Sequence, residues 1–337
     1  MSPDFLFLTP IGLLPVLLFL FVLRYLDSYK LVSLRTVGSV IIAGCSLPIA
    51  AYFLNGWLMG SFDITFEVAT RYVAPVTEEL LKAIVVIYLF RSHKIGFLVD
   101  SAILGFAVGA GFALVENIYY LYLSINLNTG VWIVRGFGTA VMHGGVTAIF
   151  AILVQTFSER SMKINFAQVL PGFAAAVLIH SLYNQFVLPP ILNTLTILVS
   201  LPPLLYFVFR RSAQHMHEWL EVDFDEDAEF IQQITSGEVT ETKVGRFLHD
   251  LRSRFDGPVV VDMLCYLRIY TELALRAKGV LMMRENGLDV EIGERTREKF
   301  TELEYLEGSI GTTGLLAMRP FLHISRKDLW QMYVLDK

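Results

Sequence analysis

Seven apolar stretches, near residues 5–23, 36–58, 76–90, 97–121, 132–157, 166–186 and 188–209, constrain this chain more than any other feature. A bilayer core of about 30 Å takes roughly 20 helical residues to cross. Within it every backbone N–H and C=O must find a partner inside the protein, so such stretches fold as helices. The expectation is an all-α polytopic membrane helix bundle of about seven transmembrane helices. Composition agrees, since 54% hydrophobic against 18% charged residues is too apolar for a soluble chain of 337 residues. The charges are unevenly spread. Residues 1–211 hold 12 of the 27 Lys/Arg and 9 of the 32 Asp/Glu, leaving the acidic remainder to residues 212–337. Two domains follow: a multi-pass membrane domain over 1–211 and an acidic, mainly helical soluble domain over 212–337.

Basic residues set the orientation. Arg24, Lys30 and Arg35 follow the first stretch, Arg91 and Lys94 the third, Arg160 and Lys163 the fifth, and Arg210 and Arg211 the seventh, while the intervening connections hold only Arg71. Positive charge marks cytoplasmic loops, so the N-terminus is expected outside a cell (inner) membrane and the C-terminal domain in the cytoplasm. The first stretch reads as a retained helix, because residues 1–4 carry no Lys or Arg and no small-residue cleavage site precedes Arg24. No dense basic run invites nucleic acid. Cys45 and Cys265, one in an apolar run and one in the polar tail, make no disulfide framework.

The third stretch is short, and its polar content is unusual. Either residues 64–74 extend it across a proline kink or it begins inside the protein; interrupted helices at membrane depth usually line a buried cavity. Ionisable groups in a bilayer core cost a few kcal/mol each, roughly 2.5–3.5 on insertion scales, so each asks for a reason. The candidates are Glu78, Glu79 and Lys82 on the third helix, Glu116 on the fourth, His143 on the fifth and His180 on the sixth, with Asn184 one turn beyond. At 1.5 Å per residue from the cytoplasmic ends, Glu78 stands about 18 Å up, and His143 and His180 about 21 Å, which places three helices' polar groups at one level. Glu116 comes out higher, at roughly 24–28 Å. Lys82 is spaced to pair with either Glu78 or Glu79, so one lysine balances one carboxylate and the other is left over. A carboxylate without a cation can take a proton from water, and His180 with Asn184 can both donate to one oxyanion. Glycines at 105, 109, 111, 136, 138, 144 and 145 would let helix backbones approach closely around such a site.

Glu78-Glu79-Leu80-Leu81-Lys82 has the form Glu-Glu-x-x-Lys, Phe112 to Asn117 the form Phe-x-x-x-Glu-Asn, and His180 to Asn184 the form His-x-x-x-Asn, with His143 on the helix between. Over residues 1–211 this order resembles the PrsW family of intramembrane proteases, related to the CAAX prenyl endopeptidase and to bacteriocin-processing membrane proteases. The resemblance implies a protease domain that cleaves membrane-anchored protein substrates, such as an anti-sigma factor, within the lipid bilayer. It also implies roles: Glu78 as general base with Glu116 assisting, His180 and Asn184 as the oxyanion site, Lys82 as a charge-balancing residue. His143 inherits no definite role. Glu116 stands where CAAX-type relatives carry a histidine, and Lys82 where they place an arginine one residue later, which favours the PrsW branch.

Two chemistries stay open. A glutamate-activated water requires no cofactor; alternatively Glu116, His143 and His180 hold Zn²⁺, which would lower the bound water's pKa. An aspartyl mechanism fails because Asp100 lies at a helix end, and a serine mechanism built on Gly44-Cys45-Ser46 leaves the glutamates unexplained. The alternative function is a proton- or cation-coupled transporter or channel using the same Glu and His groups as a relay, although no repeat between the halves supports it. Oligomeric state and substrate identity leave no mark in the sequence.

Overall fold

The computed structural model describes residues 3–27, 30–123, 128–158, 164–288, 293–318, 322 and 335, with backbone alone at 3–6, 215, 217–223 and 226. The chain divides into two compact units, Met1–Ser212 and Ala213–Lys337. Among the described residues there are helices and no strand.

The first unit is built from α1 (Pro3–Tyr25), α2 (Leu34–Phe62), α3, α4 (Leu98–Leu123), α5, α6 (Phe166–Asn184) and the start of α7 (Pro190–Ser236). Helix α3 begins as Phe66–Val68, passes through a π-helical turn at Ala69–Val73 and continues as Ala74–Arg91. Helix α5 has the same construction: Thr129–Ile133, a π turn at Val134–Thr139, then Ala140–Ser158. Among the described residues six helices, α1, α2, α4, α5, α6 and the start of α7, are long and apolar enough to cross a membrane. The expected count of seven differs from this by α3, where Glu78, Glu79, Lys82 and Arg91 offset the apolar residues. From Phe66 onwards, the segment 64–74 does extend the third stretch, through the π turn. Leu18, Phe21, Phe53, Trp57 and Val199 are more than half exposed, an apolar outer surface suited to lipid.

Helix α4 is the centre of this unit, buried along most of its length and packed against α5, α2 and α1. Its glycines are what allow this. A Cβ at Gly109 would lie 2.2 Å from the His143 carbonyl oxygen on α5, and one at Gly111 would lie 2.2 Å from that of Ile41 on α2. These crossings therefore admit no side chain. At the N-terminal end of α4, the buried Asp100 accepts from the backbone N–H groups of Gly96 and Phe97, at 2.9 and 3.1 Å. It is a helix-capping residue. Ser46 donates to the Ala43 carbonyl of its own helix, so it is not set up as a nucleophile.

Arg160 and Lys163, which bear on the orientation, lie outside the described residues. In the second unit, α8 (Lys243–Leu251), α9 (Gly257–Glu285) and α10 (Glu294–Met318) pack around Met263, Leu267, Leu273, Leu303 and Ile310. Helix α10 is kinked at Gly311, whose φ of 70° suits glycine. Lys278, nearly inaccessible, pairs with Asp227 at 2.7 Å. Tyr266 donates to Glu307 at 2.8 Å; burial and that carboxylate push its hydroxyl's pKa well above the usual range. Cys45 and Cys265 are free thiols.

Candidate active site

The π turn of α3 and Pro75 decide where the paired glutamates stand. Proline has no N–H, so the carbonyls four and five residues earlier, those of Arg71 and Thr70, lose the donor that an α or π turn would supply. Helix α6 replaces both. Ser181 Oγ donates to the Arg71 carbonyl at 2.6 Å and Asn184 Nδ2 to the Thr70 carbonyl at 3.0 Å. On the opposite side, Thr77 Oγ1 donates to Asn55 Oδ1 of α2 at 2.6 Å. The first turn of Ala74–Arg91 is thus held from two helices.

One turn further on, the polar groups meet. Lys82, wholly inaccessible, donates from Nζ to Glu79 Oε1 at 2.7 Å and to His143 Nδ1 at 2.8 Å. The same Glu79 oxygen takes a hydrogen bond from His180 Nδ1 at 2.8 Å. His143 Nε2 faces Glu116 Oε2 at 3.4 Å, and His180 Nε2 faces Glu78 Oε2 at 3.9 Å. The two imidazoles meet edge to face with centroids 4.8 Å apart, and Phe112 closes the cluster against His143 and beneath the Lys82 ammonium. Of the adjacent carboxylates Glu78 and Glu79, Glu79 is the one Lys82 neutralises. Among the described residues, Glu78 has only the His180 ring in ion-pair reach.

Hydrogen-bond polarity assigns the tautomers. A lysine ammonium only donates, so His143 Nδ1 accepts and the ring proton resides on Nε2, directed at Glu116. A carboxylate only accepts, so His180 carries a proton on Nδ1, and as a neutral ring it presents a lone pair at Nε2, towards Glu78.

The structure therefore brings Glu78, Glu79, Lys82, Glu116, His143 and His180 into one cluster. Asn184 belongs to the tether on the π turn, with one amide hydrogen committed there. The sequence reading omits two residues. Ser181 has no signal beyond its place inside the His-x-x-x-Asn motif. Arg135 had one, being an arginine within the apolar stretch 132–157. Its NH2 atom lies 3.3 Å from Glu116 Oε2, which supplies a second cation for the cluster.

A metal can be tested against these positions. Glu78, His143 and His180 each offer a ligand atom, all within 4.8 Å of one another, and two imidazoles with a carboxylate are a catalytic zinc donor set. Glu78 occupies the place that sequence reasoning assigned to Glu116. The Glu79 carboxylate behind His180 is the usual outer partner of a metal-bound imidazole. His143 fits less well, because the lone pair a metal would need at Nε2 is replaced by a proton while Lys82 donates to Nδ1. The set is suited to a metal in residue type and spacing, and at two of its three ligands in hydrogen-bond polarity.

Apolar helices enclosing three carboxylates, two histidines and two cations define a polytopic membrane protein with a buried polar cluster. Residues 32–209 match the family described as PrsW family intramembrane metalloprotease, and the chain belongs to that family. Membership makes it a membrane peptidase whose substrates are membrane proteins. No curated protein and no solved structure matches the chain.

Proposed function

We propose that this protein is an intramembrane endopeptidase in which Glu78 activates water against the peptide bond of a membrane-anchored protein substrate. The observation that carries the reading is the charge pairing: Lys82 is bound to Glu79 and Arg135 to Glu116, which leaves Glu78 as the carboxylate without a Lys or Arg partner among the described residues. A general base must be an acceptor with a free oxygen near the water it deprotonates. Glu78 meets that condition, with the His180 Nε2 lone pair beside it to orient the same water. In the proposed step, water oxygen bonds to the carbonyl carbon as its proton passes to Glu78. The C–N bond then breaks and that proton goes to the leaving amine. Asn184 keeps a second amide hydrogen for the developing oxyanion, and the His143 Nε2–H is a further donor in the cluster.

The family description favours a metal, and if one binds, Glu78, His143 and His180 would hold it. It would supply Lewis-acid activation of water. We place the substrate contact with the exposed edge formed by Glu116 and Arg135, whose side chains are 23% and 18% exposed, against 2% or less for Glu79, Lys82, His143 and His180. An anti-sigma-factor-like substrate is consistent with the family and is one to try first. The protein is assigned to a cell membrane, with the unit Ala213–Lys337 on the cytoplasmic side.

Cleavage of a single-pass test substrate by purified protein tests the assignment. Glu78→Gln, Glu116→Gln and His180→Ala should each lower kcat by about 100-fold or more while the protein stays folded. Retained cleavage in all three, or substrate-independent ion flux in liposomes without cleavage, would sink it. Activity should survive chelation in protein shown by elemental analysis to be metal-free. Loss on chelation with recovery on adding zinc would replace the water-only chemistry with the metal one.

A further inference from the structure

The last turn of α6, His180 to Asn184, does more than carry a histidine to the cluster. Ser181 and Asn184 hold the π turn of α3, and Leu182 is exposed on the apolar outer surface. Tyr183 is buried and turns the other way, to the π turn of α5. Its hydroxyl lies 3.5 Å from Thr139 Oγ1, at the end of the turn Val134–Thr139, and hydrogen-bonds to Thr194 of α7. Its carbonyl accepts from Asn193 Nδ2 of α7 at 2.9 Å. Thr194 Oγ1 donates to the Pro190 carbonyl at 3.0 Å, so its one proton is committed and it can only accept from Tyr183. Tyr183 is then left to accept from Thr139. One polarity therefore runs from Thr139 through Tyr183 and Thr194 to the Pro190 carbonyl, across α5, α6 and α7.

The meeting point is Gly138. A Cβ there would overlap both the Tyr183 hydroxyl and Thr194 Oγ1, so the two side chains close directly on the backbone of the turn. Another side of the turn rests on α1, where a Cβ at Gly136 would overlap the Ile11 carbonyl oxygen. Ala140 N–H closes the turn on the Arg135 carbonyl, which puts Arg135 near its start and His143 one turn beyond its end. Such i to i+5 turns are rare within α-helices, and here the packing at Gly136 and Gly138 fixes the register.

We propose that Tyr183 is a positioning residue, which registers the α5 turn against α6 and so sets His143 and Arg135 opposite His180. The His143 and His180 rings stand 4.8 Å apart between centroids, a separation set by how α5 and α6 sit against each other. With Ser181 and Asn184 on α3, a single turn of α6 then locks both interrupted helices to the cluster. The effect on rate rests on the hydrolytic reading above, while a readout independent of cleavage tests the registering role by itself.

That readout is backbone hydrogen exchange of the full-length protein in detergent, measured by mass spectrometry beside the kinetics on the single-pass test substrate. Tyr183→Phe removes the hydroxyl alone. It should speed exchange over residues 134–142 by about 10-fold and leave the α2–α4 crossing at 41–47 and 105–111 unchanged. It should also lower kcat per folded molecule by about 10-fold with little change in KM. Thr194→Val removes the acceptor and should do the same, whereas Thr194→Ser keeps it and should hold both readouts near wild type. Ser200→Ala, on an exposed part of α7, is the control that changes neither. Should Tyr183→Phe not purify, the two Thr194 variants carry the test. Wild-type exchange over 134–142 in Tyr183→Phe overturns the proposal. So does faster exchange with a wild-type kcat, or a Thr194→Ser protein as slow as Thr194→Val. Faster exchange in Tyr183→Phe, in preparations of which even the wild type cleaves no substrate, supports the registering role and removes the peptidase reading instead.

Discussion

Lys82 has no access to solvent, and among the described residues its ammonium meets Glu79, His143 and the Phe112 ring. A buried ammonium is tolerable only when it is paired, and removing one partner of a buried pair costs about 3–5 kcal/mol. Glu79→Gln should therefore lower the thermal stability of the purified protein by roughly that amount. Glu78→Gln, which removes no cation's partner, should leave stability nearly unchanged while abolishing cleavage. Adding Lys82→Met to Glu79→Gln should recover much of the stability, because the stranded charge is gone. Equal melting temperatures for Glu78→Gln and Glu79→Gln would show that the two carboxylates are not divided between chemistry and charge balance.

At the level of elements, two helices reach the site through π turns, and each turn is held by neighbours. On α3 the reason is Pro75, whose missing N–H leaves carbonyls that Ser181 and Asn184 satisfy. An unsatisfied buried carbonyl costs about 1–3 kcal/mol, so Ser181→Ala and Asn184→Ala should each destabilise by that order. In a Pro75→Ala background the backbone regains a donor, and Ser181→Ala should cost less there. A double-mutant cycle on melting temperatures measures the coupling. Strict additivity would detach Ser181 from Pro75 and leave the tether without a cause. The tether also explains why the His-x-x-x-Asn spacing serves two purposes: His180 reaches the cluster while Asn184, one turn on, reaches the irregular backbone that positions it.

For the whole molecule, the open question of topology turns on α3. Six helices satisfy length and hydropathy without it, and six crossings would put both ends of the membrane unit on one side. We expect α3 to be the seventh, its Glu79 and Lys82 paired with each other and its polar groups met inside the bundle by His143 and His180 rather than by water. With Cys45 and Cys265 replaced, Ser61→Cys and Arg91→Cys should then be labelled by a membrane-impermeant reagent from opposite sides of the membrane. Labelling of both from the same side would return the count to six and reverse the assignment of the C-terminal unit to the cytoplasm.

What was legible in the residues follows from solvent. Apolar length dictates helices in a bilayer, the rarity of charge there singles out Glu78, Glu79, Lys82, Glu116, His143 and His180, and the glycines of α4 and α5 announce close crossings. None of these signals carries direction or partner. Which glutamate Lys82 neutralises, which histidine nitrogen carries the proton, that Asn184 holds the Thr70 carbonyl and that Arg135 is the second cation depend on where separate helices place their atoms to within an ångström. Spacing along one helix is a local property readable from the chain. Convergence of α3, α4, α5 and α6 is set by glycine contacts and π turns whose effects appear only once the helices have packed.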